Sequence, residues 1–98
     1  MSYLDADAEL IRSCLPTGTG VPEDADDLFI LYAVLMRAKG EGTQASDVHD
    51  AWSAWMSRTE PDHESVRPYD QLAPSVQKED APFLIAIRDA ARARAEGR

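Results

Sequence analysis

A run of nine residues, LFILYAVLM at positions 28–36, is the feature that most restricts how this chain can fold. Its apolar side chains cover every side of a helix instead of one stripe, so each face of that helix needs a covering surface. The run is too short to span a bilayer, which takes about 20 apolar residues. We therefore predict a central helix wrapped by the rest of the chain. A symmetric homodimer contact on one face of this helix is the alternative.

Three other segments repeat apolar residues at helical spacing. The first follows Ser2 and Asp5, whose spacing is typical of a capping box. No segment alternates in the manner of a strand, and no internal repeat is present. The sequence predicts a single all-α domain over residues 1–98, a compact bundle of four main helices. The expected apolar stripes are Leu4, Ala8, Ile11 and Leu15; Val48, Ala51, Trp52, Trp55 and Met56; and Phe83, Leu84, Ile87 and Ala91.

Capping residues and prolines predict where the helices begin and end. Helix two should run from about Glu23 to Lys39, before a glycine. Thr43 or Ser46 can cap helix three, which should continue to about Arg58.

An extended, proline-bounded loop should precede the last helix. Pro82 would remove a backbone hydrogen bond from any continuous helix that began near residue 75. We therefore predict a short turn over residues 74–79, followed by a main helix from Asp80 to about Ala95.

The formal charge of −8 lies almost entirely in the first half, where residues 1–50 hold ten acids against three bases. Such a field repels phosphate backbones and anionic membranes. We expect neither direct nucleic-acid binding nor membrane binding. The acidic N-terminal stretch, unlike a basic signal peptide, and the lone Cys14 together predict a cytoplasmic protein.

The sequence carries no recognisable catalytic or metal-binding pattern. His49 and His63 match no zinc or calcium spacing, and no serine lies in a G-x-S-x-G context. The glycine-rich GTG at residues 18–20 lacks the preceding strand and the lysine of a phosphate loop. We therefore expect a non-enzymatic protein without metal or cofactor.

The stretch PEDADD, residues 22–27, concentrates four carboxylates: Glu23, Asp24, Asp26 and Asp27. They can stabilise a helix start through its dipole, or they can form an acidic docking surface for a basic partner. Trp55 also has two possible roles, since it can either close the core or lie in a binding surface.

Two segments, VHDAWSAWM and VRPYDQLAPSVQKED, resemble the RyR domain, a small helical repeat of ryanodine receptors that also occurs as free-standing bacterial and phage modules. The resemblance covers about residues 47–95. One departure is the absence of a Gly-Trp-x-x-Gly stretch, in whose place the chain has only SRTEPDHES. The whole chain is also similar to small uncharacterised proteins of actinobacteria and their phages. The resemblance rests on His49, Trp52, Pro68, Tyr69, Asp70 and Leu72.

The PYDQL segment has two readings. In the structural one it is stapled across helix three, with the Tyr69 ring on Trp52 and Asp70 capping the short turn. In the functional one, a pocket forms from His49, Trp52, Tyr69 and Asp70. The RyR-like resemblance implies a nucleotide-derived ligand there. Its base would stack on an aromatic ring, and Arg58 and Arg67 would meet its phosphate.

These observations favour a non-enzymatic acidic accessory module that acts by protein–protein binding. A phage-encoded modulator of a host or defence protein is its more specific form. The alternative is an RyR-like module that binds a small nucleotide-derived ligand. A structural homodimer without other partners is a third class.

Overall fold

The computed structural model describes residues 2–97, which form four main α-helices and one short helical turn. Single 3-10 turns occupy Gly40–Gly42, Tyr69–Gln71 and Lys78–Asp80. Residues 2–97 contain no strand, so the predicted all-α class is confirmed. None of the helices in this range is both long and apolar enough to cross a bilayer. In chain order the helices are α1 (Tyr3–Ser13), α2 (Asp26–Lys39), α3 (Ala45–Met56), the single turn α4 (Pro74–Gln77) and α5 (Ala81–Ala95).

Helix α2 is the centre of the molecule, as the all-round apolar run predicts. Helices α1, α3 and α5 all pack against it. One face stays uncovered, where the side chain of Val34 is 47% exposed. Wrapping by three helices therefore buries most of the run, and homodimerisation stays a prediction. The buried residues of α2 are Leu28, Phe29, Tyr32, Ala33 and Met36.

The predicted capping box at the start of α1 is confirmed. The Ser2 amide donates to the Asp5 carboxylate at 2.8 Å, and the Asp5 amide donates to the Ser2 hydroxyl at 3.3 Å. These bonds satisfy two of the amide groups that a helix start leaves without partners.

The predicted start of helix two is wrong by three residues. Helix α2 begins at Asp26, because Asp24 in the preceding turn adopts a left-handed backbone with φ 54°. Glu23 and Asp24 thus lie outside the first helical turn. Only Asp26 and Asp27 are placed where the helix dipole favours them.

Both predicted caps of helix three are also wrong. The helix begins at Ala45, two residues earlier than a Ser46 cap would allow, and the Asp47 carboxylate accepts a hydrogen bond from the Gln44 amide at 2.8 Å. The Thr43 hydroxyl instead donates to the Gly40 carbonyl at 2.7 Å, which closes the turn between α2 and α3. Helix α3 ends at Met56, two residues before the predicted end.

The region before the last helix follows the prediction closely. Residues 74–80 form α4 and a 3-10 turn, and α5 begins at Ala81. Pro82 lies in the first turn of α5, where a missing amide hydrogen costs nothing. This arrangement brings Asp80, at the junction, against the middle of α3.

Candidate binding cleft

A cleft of about 860 Å³ lies between the loop of residues 18–22, α3, the loop of residues 63–65 and the start of α5. We refer to it as the cleft. Its aromatic side chains are Tyr32 of α2, Trp52 of α3 and Phe83 of α5. The Tyr32 and Phe83 rings pack at 5.7 Å between centroids. The cleft therefore has a firm aromatic side built by three helices.

His49 of α3 is the best-anchored polar side chain in the cleft. It is 3% exposed, and its Nε2 atom lies 2.8 Å from the carbonyl oxygen of Arg67. A carbonyl can only accept, so Nε2 carries the hydrogen. On the other side of the ring, Nδ1 lies 3.4 Å from the Asp80 carboxylate. The contact between Nδ1 and the carboxylate is attractive only when Nδ1 or the carboxylate carries a proton.

The His49 bond fastens the proline-bounded loop to α3. Pro68 disfavours a helical backbone at Arg67, which limits the directions that the Arg67 carbonyl can take. The Tyr69 ring lies 6.2 Å from the His49 ring, and Gln77 of α4 donates to the Tyr69 carbonyl at 2.9 Å. These contacts support the structural reading of the PYDQL segment, a loop stapled across helix three, although its details differ.

Two of those details are corrected. The Tyr69 ring packs on His49 and not on Trp52, whose ring neighbours are His49 and His63. Asp70 lies inside the 3-10 turn Tyr69–Gln71 and is exposed, and α4 begins without a side-chain cap. Asp70 therefore does not cap the turn that follows it.

Trp52 lies between two imidazole rings. The His49 ring stacks on it with centroids 5.5 Å apart, and the His63 ring meets it edge-on at 5.3 Å. His63 is held in turn, because its Nδ1 accepts a hydrogen bond from the Ser65 amide at 3.0 Å. Trp52 thus joins α3 to the loop of residues 63–65 at the cleft.

Asp80 and Tyr32 are buried polar residues in the cleft lining with few partners in the fold. Burial raises the pKa of Asp80 to about 6, with Glu79 adding to the rise and His49 opposing it. Tyr32 is 1% exposed, and its hydroxyl makes no hydrogen bond to another described residue. Burial, and then the nearby Asp80 charge, raise the pKa of Tyr32 as well. Both groups border the cleft.

A chain of contacts like that of a hydrolytic triad links Ser53, His49 and Asp80 in space. The Ser53 hydroxyl lies 3.3 Å from His49 Nε2, opposite the Nδ1 that faces Asp80. In a triad, however, this nitrogen must accept the serine proton. Here Nε2 already carries a hydrogen and donates it to the Arg67 carbonyl. In this arrangement His49 cannot act as a base toward Ser53.

The structure separates the residues that the sequence grouped as ligand-binding. His49 and Trp52 border the cleft, whereas Tyr69 and Asp70 do not. Arg58 is also elsewhere, since it pairs with Asp27 at 2.7 Å. Neither arginine therefore lines this cleft, and the nucleotide interpretation stays a prediction. Arg67 contributes its carbonyl and not its guanidinium.

The acidic stretch is partly used within the fold. Asp26 pairs with Arg12 of α1 at 2.8 Å and Asp27 with Arg58 after α3, so neighbouring acids fasten α2 to both sides. Glu23 and Asp24 are exposed and make no ion pair with another described residue. Two of the four predicted docking carboxylates are thus engaged inside the chain.

Trp55 packs against the core, which favours the first of its two predicted roles. Its Nε1 atom is buried and has no hydrogen-bond partner among residues 2–97. The Arg58 guanidinium lies 5.8 Å from the Trp55 ring.

Sequence reasoning missed several residues of the cleft, of which Tyr32 and Asp80 matter most. Tyr32 was counted as part of the apolar run, although a hydroxyl in such a run signals either a buried partner or a cavity. Asp80 and Glu79 come from the region just before α5, some 30 residues after Trp52. Nothing in the local pattern indicates that they meet. Within residues 2–97, no group of three or more His, Cys, Asp or Glu side chains is arranged to hold a metal ion.

The chain belongs to the family described as Domain of unknown function (DUF7701), whose model matches residues 2–92. Neither the curated proteins nor the solved structures contain a match to the chain. The family match spans α1 to α4 and most of α5, whereas the RyR-like resemblance over residues 47–95 receives no support from these comparisons.

Proposed function

We propose that this DUF7701 domain is a non-enzymatic module that acts by binding a segment of a partner protein, and that the cleft is its binding site. The observation that carries the proposal is a pair of polar side chains in the lining of the cleft. There, Tyr32 and Asp80 are buried polar groups whose hydrogen-bonding capacity the fold leaves largely unused. Unused buried capacity costs stability, so it is expected where a ligand supplies the missing partner.

The surroundings of Tyr32 and Asp80 support binding and not catalysis. His49, the strongest candidate for a base, already donates from Nε2 to a backbone carbonyl, which holds a loop in place. Its aromatic side chains Tyr32, Trp52 and Phe83 come from three helices, and positions on helices suit a preformed recognition site. The net charge of −8 favours partners with basic segments.

A small-ligand module is the second candidate, and one observation favours it. A volume of about 860 Å³ falls within the range of small-molecule pockets, which is roughly 300–1,000 Å³. The RyR-like prediction of a sensor remains compatible with such a ligand, provided that it does not need Arg58 or Arg67. The narrower idea of a phage-encoded modulator of a host or defence protein stays a prediction about origin.

The test fills the cleft and asks whether binding is lost. A Cβ atom added at Gly20 meets no atom within 4 Å, and Gly20 borders the cleft, so we expect the ring of Gly20→Trp to block the cleft. Gly42→Trp is the matched control, because Gly42 has equally open surroundings but lies outside the cleft.

The full chain and both variants are screened against a positional-scanning hexapeptide library and a library of small metabolites. We expect hits on the parent that Gly20→Trp loses and Gly42→Trp keeps. Peptide hits favour the first candidate, and metabolite hits without peptide hits favour the second. Hits that survive Gly20→Trp, or a complete absence of hits, would contradict the cleft as the binding site.

A further inference from the structure

We infer that the group bound in the cleft is an organic cation with N–H donors, a primary ammonium or a guanidinium. The inference rests on the proposal that the cleft is the binding site, and it adds the chemical class of what enters. The same chemistry is presented by a lysine or arginine side chain of a protein and by a free amine.

The acceptors of the cleft point to a donor-bearing ligand. Asp80 is 8% exposed, and its nearest polar partner is His49 Nδ1 at 3.4 Å, which is longer than an ordinary hydrogen bond. The carboxylate therefore retains most of its accepting capacity. The Tyr32 hydroxyl, without a partner among residues 2–97, can accept as well. An ammonium or guanidinium supplies several donors and no acceptor, which matches this pair of groups.

Charge at the cleft selects a cation over an anion. Glu64 and Glu79 are exposed and line the cleft together with the buried Asp80. No lysine or arginine belongs to the described lining. Arg58 is held elsewhere by Asp27, and Arg67 contributes its carbonyl to His49 without lining the cleft. A carboxylate or phosphate would meet three acids and no fixed cation, so anionic ligands are disfavoured.

The walls suit the carbon stem of such a ligand. Trp52 and Phe83 present aromatic surface, and Val21 and Val76 add aliphatic surface. Lysine and arginine stems pack along apolar surface of this kind while their charged ends reach polar groups. Aromatic rings also attract cations through the negative face of the π system. The cleft thus combines apolar and acidic side chains in one lining.

The experiment is a set of NMR titrations of the full chain that follows the Trp52 indole and the amides of Glu79 and Asp80. The probes are N-acetyl-lysine methylamide, its neutral match N-acetyl-norleucine methylamide and its anionic match N-acetyl-glutamate methylamide. We expect the lysine probe to shift these signals and to bind at least tenfold more tightly than either match. Equal binding by the neutral probe, or tighter binding by the anionic one, would overturn the inference.

Two variants localise the effect. Tyr32→Phe keeps the ring and removes the hydroxyl, and should weaken the lysine probe by about fivefold. Glu79→Gln removes a charge at the border and should weaken it by about threefold, with less salt dependence than the parent. Glu60→Gln is the control, an exposed acid outside the cleft that should change nothing. If Tyr32→Phe unfolds, Glu79→Gln still decides, and an unchanged affinity in it would overturn the inference.

Two further probes separate the sources. A pentapeptide with one central lysine should bind more tightly than butylamine if the cation belongs to a protein, and butylamine or cadaverine should bind more tightly if it is a free amine. Failure of every cation, together with library hits that Gly20→Trp abolishes, would remove the cation inference and leave the proposed function standing. Failure of the library test as well would remove both.

Discussion

Two aspartates are buried to the same degree in this small domain, yet their surroundings are opposite. Asp7 of α1, 7% exposed, accepts a hydrogen bond from Arg37 of α2 and lies 3.6 Å from the Arg94 guanidinium of α5. Asp80, 8% exposed, has only the His49 ring at 3.4 Å and an acidic neighbour in Glu79. One buried carboxylate is fully compensated and the other is not.

The difference separates a structural charge from one that we propose to be functional. A buried carboxylate stabilises a fold only when opposite charge and hydrogen bonds replace the water it has lost. Asp7 meets this condition and joins three helices. Asp80 meets this condition only in part, and it lies in the lining of the cleft. Natural proteins accept such local deficits mainly at sites of function.

The largest effect should come from removing the ring that supports the Asp80 side. Trp52→Ala should lower the free energy of unfolding by about 3 kcal/mol, the low end for a tryptophan because the ring is half-buried. The loss would also free His49 and His63, which pack on it. Urea unfolding measures the change, with Trp52→Phe as the milder control. A loss below about 1 kcal/mol would show that Trp52 does not support this side.

The two aspartates themselves should respond with different magnitudes. Asp7→Asn should cost about 2 kcal/mol, less than the usual penalty for a broken buried pair, because Arg37 and Arg94 are each more than a third exposed at their side chains and can be hydrated. Asp80→Asn should cost little at pH 7, where the parent must hold a buried charge with incomplete compensation. Urea unfolding of both variants at pH 7 compares them directly. Equal losses would break the contrast.

A pH profile sharpens the contrast further. The pKa of Asp80 is about 6 in the folded chain against 3.8 as its ordinary value, so the folded state binds more protons between these two values. Stability should therefore fall as pH rises from about 4 to about 6. The groups that face Asp80 are His49 on α3, Tyr32 on α2 and its neighbour Glu79. In Asp80→Asn the contribution disappears, and thermal unfolding across pH 4–7 should show a flatter profile. The same change of stability with pH in the parent and in Asp80→Asn would contradict the assignment.

The smallest effect should come from Arg67. Its carbonyl holds His49, but its guanidinium makes no contact with another described side chain, so Arg67→Ala should change stability by less than about 0.5 kcal/mol. Pro68→Ala is the informative control. It relaxes the restriction that limits the directions of the carbonyl, and it should cost more than Arg67→Ala. The reverse order in urea unfolding would mean that the Arg67 side chain, and not its backbone, holds the loop.

The helices were predictable from the sequence because their causes are local. The capping box of Ser2 and Asp5 needs only four residues, and the position of Pro82 fixes the start of α5 within one turn. The errors are local too, but finer. Asp24 adopts a left-handed backbone that the neighbouring residues do not predict. Gln44 precedes α3, where serine or threonine was expected.

The cleft was less predictable because its parts come from distant positions. His49 and Trp52 were identified through a motif, yet the partners that define their chemistry were not. The partner of His49 Nε2 is a backbone carbonyl, which every residue carries and no sequence pattern marks. Arg58 is paired with Asp27, 31 residues earlier, and that pairing removes it from the proposed phosphate contact. The partners of His49 and Arg58 are determined by packing and not by the periodicity of the sequence.

The bond between His49 and the Arg67 carbonyl has a consequence for how this family can diverge. Since the loop is held through the main chain, position 67 tolerates any side chain that exposure allows, while position 49 must keep a ring that donates from Nε2. Position 68 should keep proline, because it limits the directions of the carbonyl without touching the histidine. Substitutions should therefore accumulate at 67 between two positions that resist them, 49 in α3 and 68 in the loop.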